Sequence, residues 1–137
     1  LQGRFDGYPK RRGITRVPEL LDAGLKVCFG QDSIRDPWYP MGNGNLLRTL
    51  DVGLHACHML GMERIETALE IVTDNGAAAL NLAEYGIAVG NPARCMVLNG
   101  TTPYEVLLNQ SPVLASVRDG RCLVQRAAPV HEVAGWS

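Results

Sequence analysis

The chain has 137 residues, 46% of them apolar and 20% charged, with a net charge of −1. That composition excludes a disordered or collagen-like chain, and the balanced charge excludes a global basic field for gripping phosphate. The length suits one domain or part of a larger one, and no apolar run approaches the ~20 residues that cross a bilayer. The chain opens Leu1-Gln2-Gly3-Arg4, with neither an initiator Met nor a signal peptide, so residue 1 is expected not to be the natural start. Cys28, Cys57, Cys95 and Cys122 are widely spaced among apolar neighbours. They predict buried free thiols in a reducing, cytoplasmic compartment, not a zinc knuckle.

In chain order, residues 1–13 are polar and broken by Gly3, Gly7, Pro9 and Gly13. Thr15 as N-cap, Pro18 and Glu19 in the first turn and Gly24 as a stop predict a helix over 16–23. Val27-Cys28-Phe29 is a short apolar run that predicts a buried parallel strand, ending in Gly30-Gln31-Asp32-Ser33. Residues 34–44 form a loop. Asn45 opens a helix in which Leu46, Leu47, Leu50, Leu54, Cys57 and His58 recur at helical spacing, with Gly61 at its end. Helices follow over 63–73 and 76–80, and Tyr85 to Gly90 is a turn-rich connector. Cys95 to Leu98 is a strand, and Pro103 to Asn109 a helix after Thr102. Val113–Val117 and Cys122–Gln125 form a hairpin across Asp119-Gly120. A lone buried parallel strand needs neighbours on both sides, so residues 1–80 are expected to close a larger α/β sheet or barrel.

Asp32 stands just past the carboxyl end of that strand, where barrel enzymes present catalytic and metal-binding groups. The same position also suits a helix cap or a turn hydrogen bond. Trp38, in a Pro-rich loop, reads as packing or as a stacking face. His55 and His58, three apart on a predicted helix, share one face and serve packing, surface or metal roles. Arg4, Lys10, Arg11, Arg12 and Arg16 cluster, but without interleaved aromatics beyond Phe5 and Tyr8 they fit salt bridges or a subunit contact better than nucleic acid. Gly42-Asn43-Gly44 lacks the third glycine and strand context of a dinucleotide site. The His-x-Glu and Pro-Cys-x-x-Cys signature of the deaminases that edit nucleic acids is absent.

Gln2 to Asp6, the run from Tyr8 to Val17, and Cys28-Phe29-Gly30-Gln31-Asp32 followed by Asp36-Pro37-Trp38-Tyr39-Pro40 resemble the C-terminal part of bacterial cytosine deaminases of the amidohydrolase superfamily. Gly53-Leu54-His55, Leu80-Asn81-Leu82, Tyr85-Gly86-Ile87 and Gly90-Asn91 extend the match, which fades after about Thr101. The resemblance implies an α/β fold: the C-terminal part of a metal-dependent (β/α)8 barrel plus part of a small β domain. Residues 1–90 would close the barrel and 91–137 would belong to the β domain. A barrel alone takes about 250 residues, so an N-terminal barrel segment carrying the histidine ligands is implied as a partner.

By the same resemblance Asp32 is the strand-eight ligand of one divalent ion, iron or zinc, and accepts the proton of the attacking water. Water then adds at the ring carbon bearing the amino group, and ammonia leaves. Trp38, Ser33 and Gln31 would shape the pocket for a free pyrimidine base. The family's strand-eight segment reads Gly-His-Asp-Asp where this chain has Gly30-Gln31-Asp32-Ser33. Gln31 removes a titratable imidazole. Ser33 removes an acid, which enlarges the pocket and predicts tolerance of 5-methylcytosine. The alternatives are another amino-heterocycle hydrolase, acting on isocytosine, isoguanine or an aminotriazine, and an inert fragment or subunit. No His-x-His occurs, so the chain alone is expected to be inactive. A homo-oligomer is expected, with no nucleic-acid or membrane partner.

Overall fold

The structure, a computed structural model, describes residues 6–9 and 13–130. It divides into two compact units, the first ending at Ala83 and the second beginning at Glu84.

The first unit is helical. Helix α1, Val17–Asp22, carries Pro18 in its first turn, and its N-cap is Arg16 and not the expected Thr15. Thr15 contributes only its carbonyl, 2.8 Å from the Val17 amide. Helix α2, Leu46–Ala56, is capped by the Asn45 carboxamide, which accepts from the Leu47 amide. Leu47, Leu50 and Leu54 form its buried stripe. The helix stops short of Gly61 because His58 turns left-handed at φ 56°. The His58 amide then reaches the His55 carbonyl (3.2 Å) and the Met59 amide the Leu54 carbonyl (2.8 Å). Both Met59 and Leu54 are buried, which completes a Schellman stop with its apolar pair. His58 therefore lies outside the helix, and the predicted shared face of His55 and His58 does not form.

The single helix predicted over 63–73 is two pieces, α3 (Met62–Thr67) and α4 (Leu69–Val72), followed by α5 (Asp74–Ala79). At Ala68 the bonding tightens to i→i−3 spacing, with Ala68 donating to Ile65 and Ile71 to Ala68. Arg64 ties α3 back to Asp22 of α1 through an ion pair.

The predicted strand at Val27-Cys28-Phe29 is a correction. The segment is extended, but none of the described residues forms a ladder with it. A strand exists only through a neighbour's hydrogen bonds, and here the bonds go to helix ends. Phe29 donates to the Ile71 carbonyl at 3.3 Å, and the Asn75 side chain donates to the Val27 carbonyl at 2.9 Å. Nor is the run buried as expected, but it alternates: Val27, Phe29, Gln31 and Ser33 are half-buried, while Cys28, Gly30 and Asp32 are exposed. Gly53, mid-helix in α2, lets the Phe29 ring come close; a Cβ there would collide with it. That close approach explains a glycine where alanine would favour the helix by about 1 kcal/mol.

The second unit is a three-stranded antiparallel sheet, β1 (Cys95–Leu98), β2 (Val113–Arg118) and β3 (Arg121–Gln125), in the order β1-β2-β3. The hairpin turns at Asp119 and Gly120, both at positive φ, as the Asp-Gly pair foretold. Between β1 and β2 lies α6, Pro103–Leu108, capped by Thr102. The Glu105 carboxylate accepts from the Thr101 amide and hydroxyl, which holds its pKa below the ordinary carboxylate value.

The cysteines are free, but their expected burial does not hold. Cys28 and Cys122 are exposed, and Cys57 and Cys95 are half-buried. Cys28 lies on the open side of the extended segment, and Cys122 on β3, whose residues are all exposed. Partial burial does push the Cys57 thiol up.

Candidate functional site

Asp32 ends the extended segment, on its exposed side. Its carboxylate makes no hydrogen bond or ion pair with the described residues, so its aim is set by its backbone. That backbone is held from both sides. Gln31 Nε2 donates to the Ser33 carbonyl at 3.0 Å, and Thr49 Oγ1, on α2, donates to Gln31 Oε1 at 3.0 Å. Gly42 is buried against the Ser33 carbonyl, and a Cβ there would stand 2.9 Å from the Ser33 carbonyl carbon and nearer still to its oxygen. The Arg35 amide donates to the Gly42 carbonyl at 3.0 Å, closing the loop on itself.

The 34–44 loop is organised by Asp36. One carboxylate oxygen accepts from the Tyr39 amide (2.9 Å) and the Trp38 amide (3.0 Å). The Tyr39 amide is the main reason that the Asp36 carboxyl lies below its ordinary range, with the Ser33 hydroxyl and the Trp38 amide adding to it. Trp38 is thereby pinned by its backbone while its side chain stays out: the residue is 71% exposed. Among the described residues its indole is not a packing element.

The four residues expected to form the site thus fall close together in the chain but face differently. Asp32 and Trp38 present exposed groups, Ser33 is half-buried beside Asp36, and the Gln31 carboxamide is engaged within the fold. Among the described residues no three His, Cys, Asp or Glu side chains converge. One carboxylate suits a corner of a divalent-ion site, because its oxygens are hard, charged donors, but it does not hold an ion alone. His55 does not supplement it: its Nδ1 lies 2.9 Å from the Asp51 carbonyl. His131 and the basic cluster Arg4, Lys10, Arg11 and Arg12 lie outside the described residues, and Arg16 is paired with Glu19 at 2.7 Å.

Two contributors were missed from sequence. Thr49 is a polar residue in the first turn of an apolar-striped helix, directly before the fully buried Leu50. Its signal was that interruption. Gly42 was read as a loop residue and as part of a failed nucleotide motif, and its signal was a glycine two residues after Pro40.

The amidohydrolase family profile matches residues 1–124. Among curated proteins, the chain is 30% identical over 110 residues to N-isopropylammelide isopropyl amidohydrolase of Pseudomonas sp. (strain ADP), covering 80% of this chain and 27% of that protein. It is 31% identical over 132 residues to the pterin deaminase of Rhizobium rhizogenes strain K84, covering 94% and 29%. Among solved structures, it is 54% identical to 5-methylcytosine deaminase from Klebsiella pneumoniae, over 97% of this chain. The TM-scores are 0.90 with phosphonocytosine bound, over 33% of that chain, and 0.91 with 5-fluorocytosine bound, over 32%. The chain therefore spans about a third or less of the length of the relatives it matches.

Proposed function

The chain belongs to the amidohydrolase family, and on that premise we propose that the full-length enzyme hydrolytically deaminates a free cytosine-type base, including one with a substituent at carbon 5. The observation that carries this reading is the 54% identity, over 97% of the chain, to a 5-methylcytosine deaminase. The curated relatives named for N-isopropylammelide and pterin stand much further off, at 30% and 31%.

Water attacks the ring carbon that carries the amino group, the C–N bond breaks, and the products are the uracil and ammonia. When bound, a divalent ion, iron or zinc, supplies the acidification of the attacking water. Asp32 would hold one corner of that ion, and the N-terminal part of the enzyme would supply the histidines. The Asp32 carboxylate would take the proton that the water loses, from an exposed position with no competing partner among the described residues. Trp38 offers an indole face for the planar base. Ser33, small and uncharged, leaves room beside the ring.

The test is a deamination panel on the full-length enzyme with cytosine, 5-methylcytosine and isocytosine. 5-Methylcytosine is expected to match or exceed cytosine in kcat/KM. Ser33→Asp should lower the ratio of 5-methylcytosine to cytosine by about ten-fold, the low end of what accommodating one methylene is worth. Cytosine strongly preferred by the wild type, or a ratio unmoved in Ser33→Asp, sinks the role of Ser33. No turnover of any pyrimidine sinks the reading as a whole.

A further inference from the structure

Gln31 stands where the sequence suggests a pocket residue, yet both ends of its carboxamide are engaged inside the fold. Nε2 donates to the Ser33 carbonyl at 3.0 Å, so the side chain reaches over Asp32 and closes a ring around its backbone. A carbonyl can only accept, which fixes the nitrogen of the amide on that side. The opposite end, Oε1, accepts from Thr49 Oγ1 at 3.0 Å. Thr49 has one hydroxyl hydrogen, and its other acceptor, the Asn45 carbonyl, lies further away at 3.3 Å.

The anchor is a rigid one. Thr49 sits between the Asn45 cap and Leu50, which is wholly buried. Asp32 has no side-chain bond to any described residue, so only its backbone directs its carboxylate. Gln31 and Thr49 are what tie that backbone to α2.

We propose that Gln31 and Thr49 form a positioning pair that aims the Asp32 carboxylate, by bracing the Asp32–Ser33 backbone against α2. The inference rests on the reading of Asp32 as a metal ligand. In this reading neither residue contacts substrate. Their effect passes through Asp32, as partners behind a metal ligand do when they set its orientation.

The experiment uses the full-length zinc-loaded enzyme and three variants, Thr49→Val, Thr49→Ser and Gln31→Met. Two quantities are read: the rate of zinc transfer to a chromophoric chelator, and kcat and KM for 5-methylcytosine. Thr49→Val and Gln31→Met should each speed zinc loss by about ten-fold and lower kcat more than they change KM, within the range such supporting partners command. Thr49→Ser, which keeps the hydroxyl, should restore both. A merely structural role would lower thermal stability without this split in zinc transfer and kcat.

The proposal is overturned if folded Thr49→Val keeps zinc transfer and kcat within about two-fold of wild type, well short of that range. It is equally overturned if serine is as damaging as valine. Should Gln31→Met fail to fold, the valine and serine pair decides alone. If the wild type deaminates none of the bases while valine still hastens zinc loss and serine rescues it, the substrate reading falls and the positioning pair stands.

Discussion

Replacing Gly42 by alanine tests the geometry behind Asp32 directly. A Cβ at residue 42 would lie 2.9 Å from the Ser33 carbonyl carbon and 3.1 Å from Tyr39 Cδ1, where ordinary contact begins at 3.4 Å. The Ser33 oxygen is closer than either and is backbone, so no side-chain rotation relieves it. Relief requires the Asp32–Ser33 segment or the 34–44 loop to retreat by on the order of 1 Å, a displacement that can cost about 100-fold in rate when it misplaces a catalytic group. Overpacking of a filled site also costs about 1–3 kcal/mol of stability. In the full-length enzyme, Gly42→Ala is therefore expected to lower kcat by about 100-fold while the protein stays folded by circular dichroism. An alanine variant with wild-type kcat and an unchanged melting temperature would refute the close approach of Gly42 to Ser33 and, with it, the argument that the loop braces Asp32.

Gly76, inside α5, is the complementary case: nothing lies within 4 Å of its ideal Cβ and its φ is not positive. Gly76→Ala should stabilise by about 0.5–1 kcal/mol, read as a rise in melting temperature with kcat unchanged. The acid limb of stability should carry a signature of Asp36, whose folded pKa lies below its ordinary value because it accepts from the Tyr39 amide. A lowered folded pKa stabilises above the unfolded pKa, and that contribution fades as pH falls through the folded value. Asp36→Asn keeps an acceptor oxygen but does not titrate there, so its melting temperature should vary less with pH below about 4 than that of the wild type. Parallel acid limbs for the two proteins would dismiss Asp36 as the anchor of the loop.

Much of the local structure was legible in the residues. Asn45 capped its helix, Thr102 and Pro103 opened theirs, and Asp119-Gly120 turned the hairpin, because each signal acts within a few bonds of itself. The extended character of Val27 to Phe29 was legible too, but the alternation that puts Asp32 on the exposed side was not, since the run was read as buried. The resemblance carried by the segments around Tyr8–Val17 and Cys28–Pro40 located Asp32, Trp38 and Ser33 as candidates, and the family match over residues 1–124 agrees with it.

What tertiary structure decided lies at long range. Whether Val27-Cys28-Phe29 is a strand depends on neighbours that the described residues do not supply; the Phe29 amide and the Val27 carbonyl bond to helix ends instead. His58 left its helix because a Schellman stop, with the Met59 amide on the Leu54 carbonyl and both residues buried, outcompeted the distant Gly61. The partner of the Gln31 amide was not legible either: Thr49, eighteen residues on, donates to it. Sequence determines which groups a residue can offer and the local turns it favours. Only the packed chain determines which partner is near enough to take them.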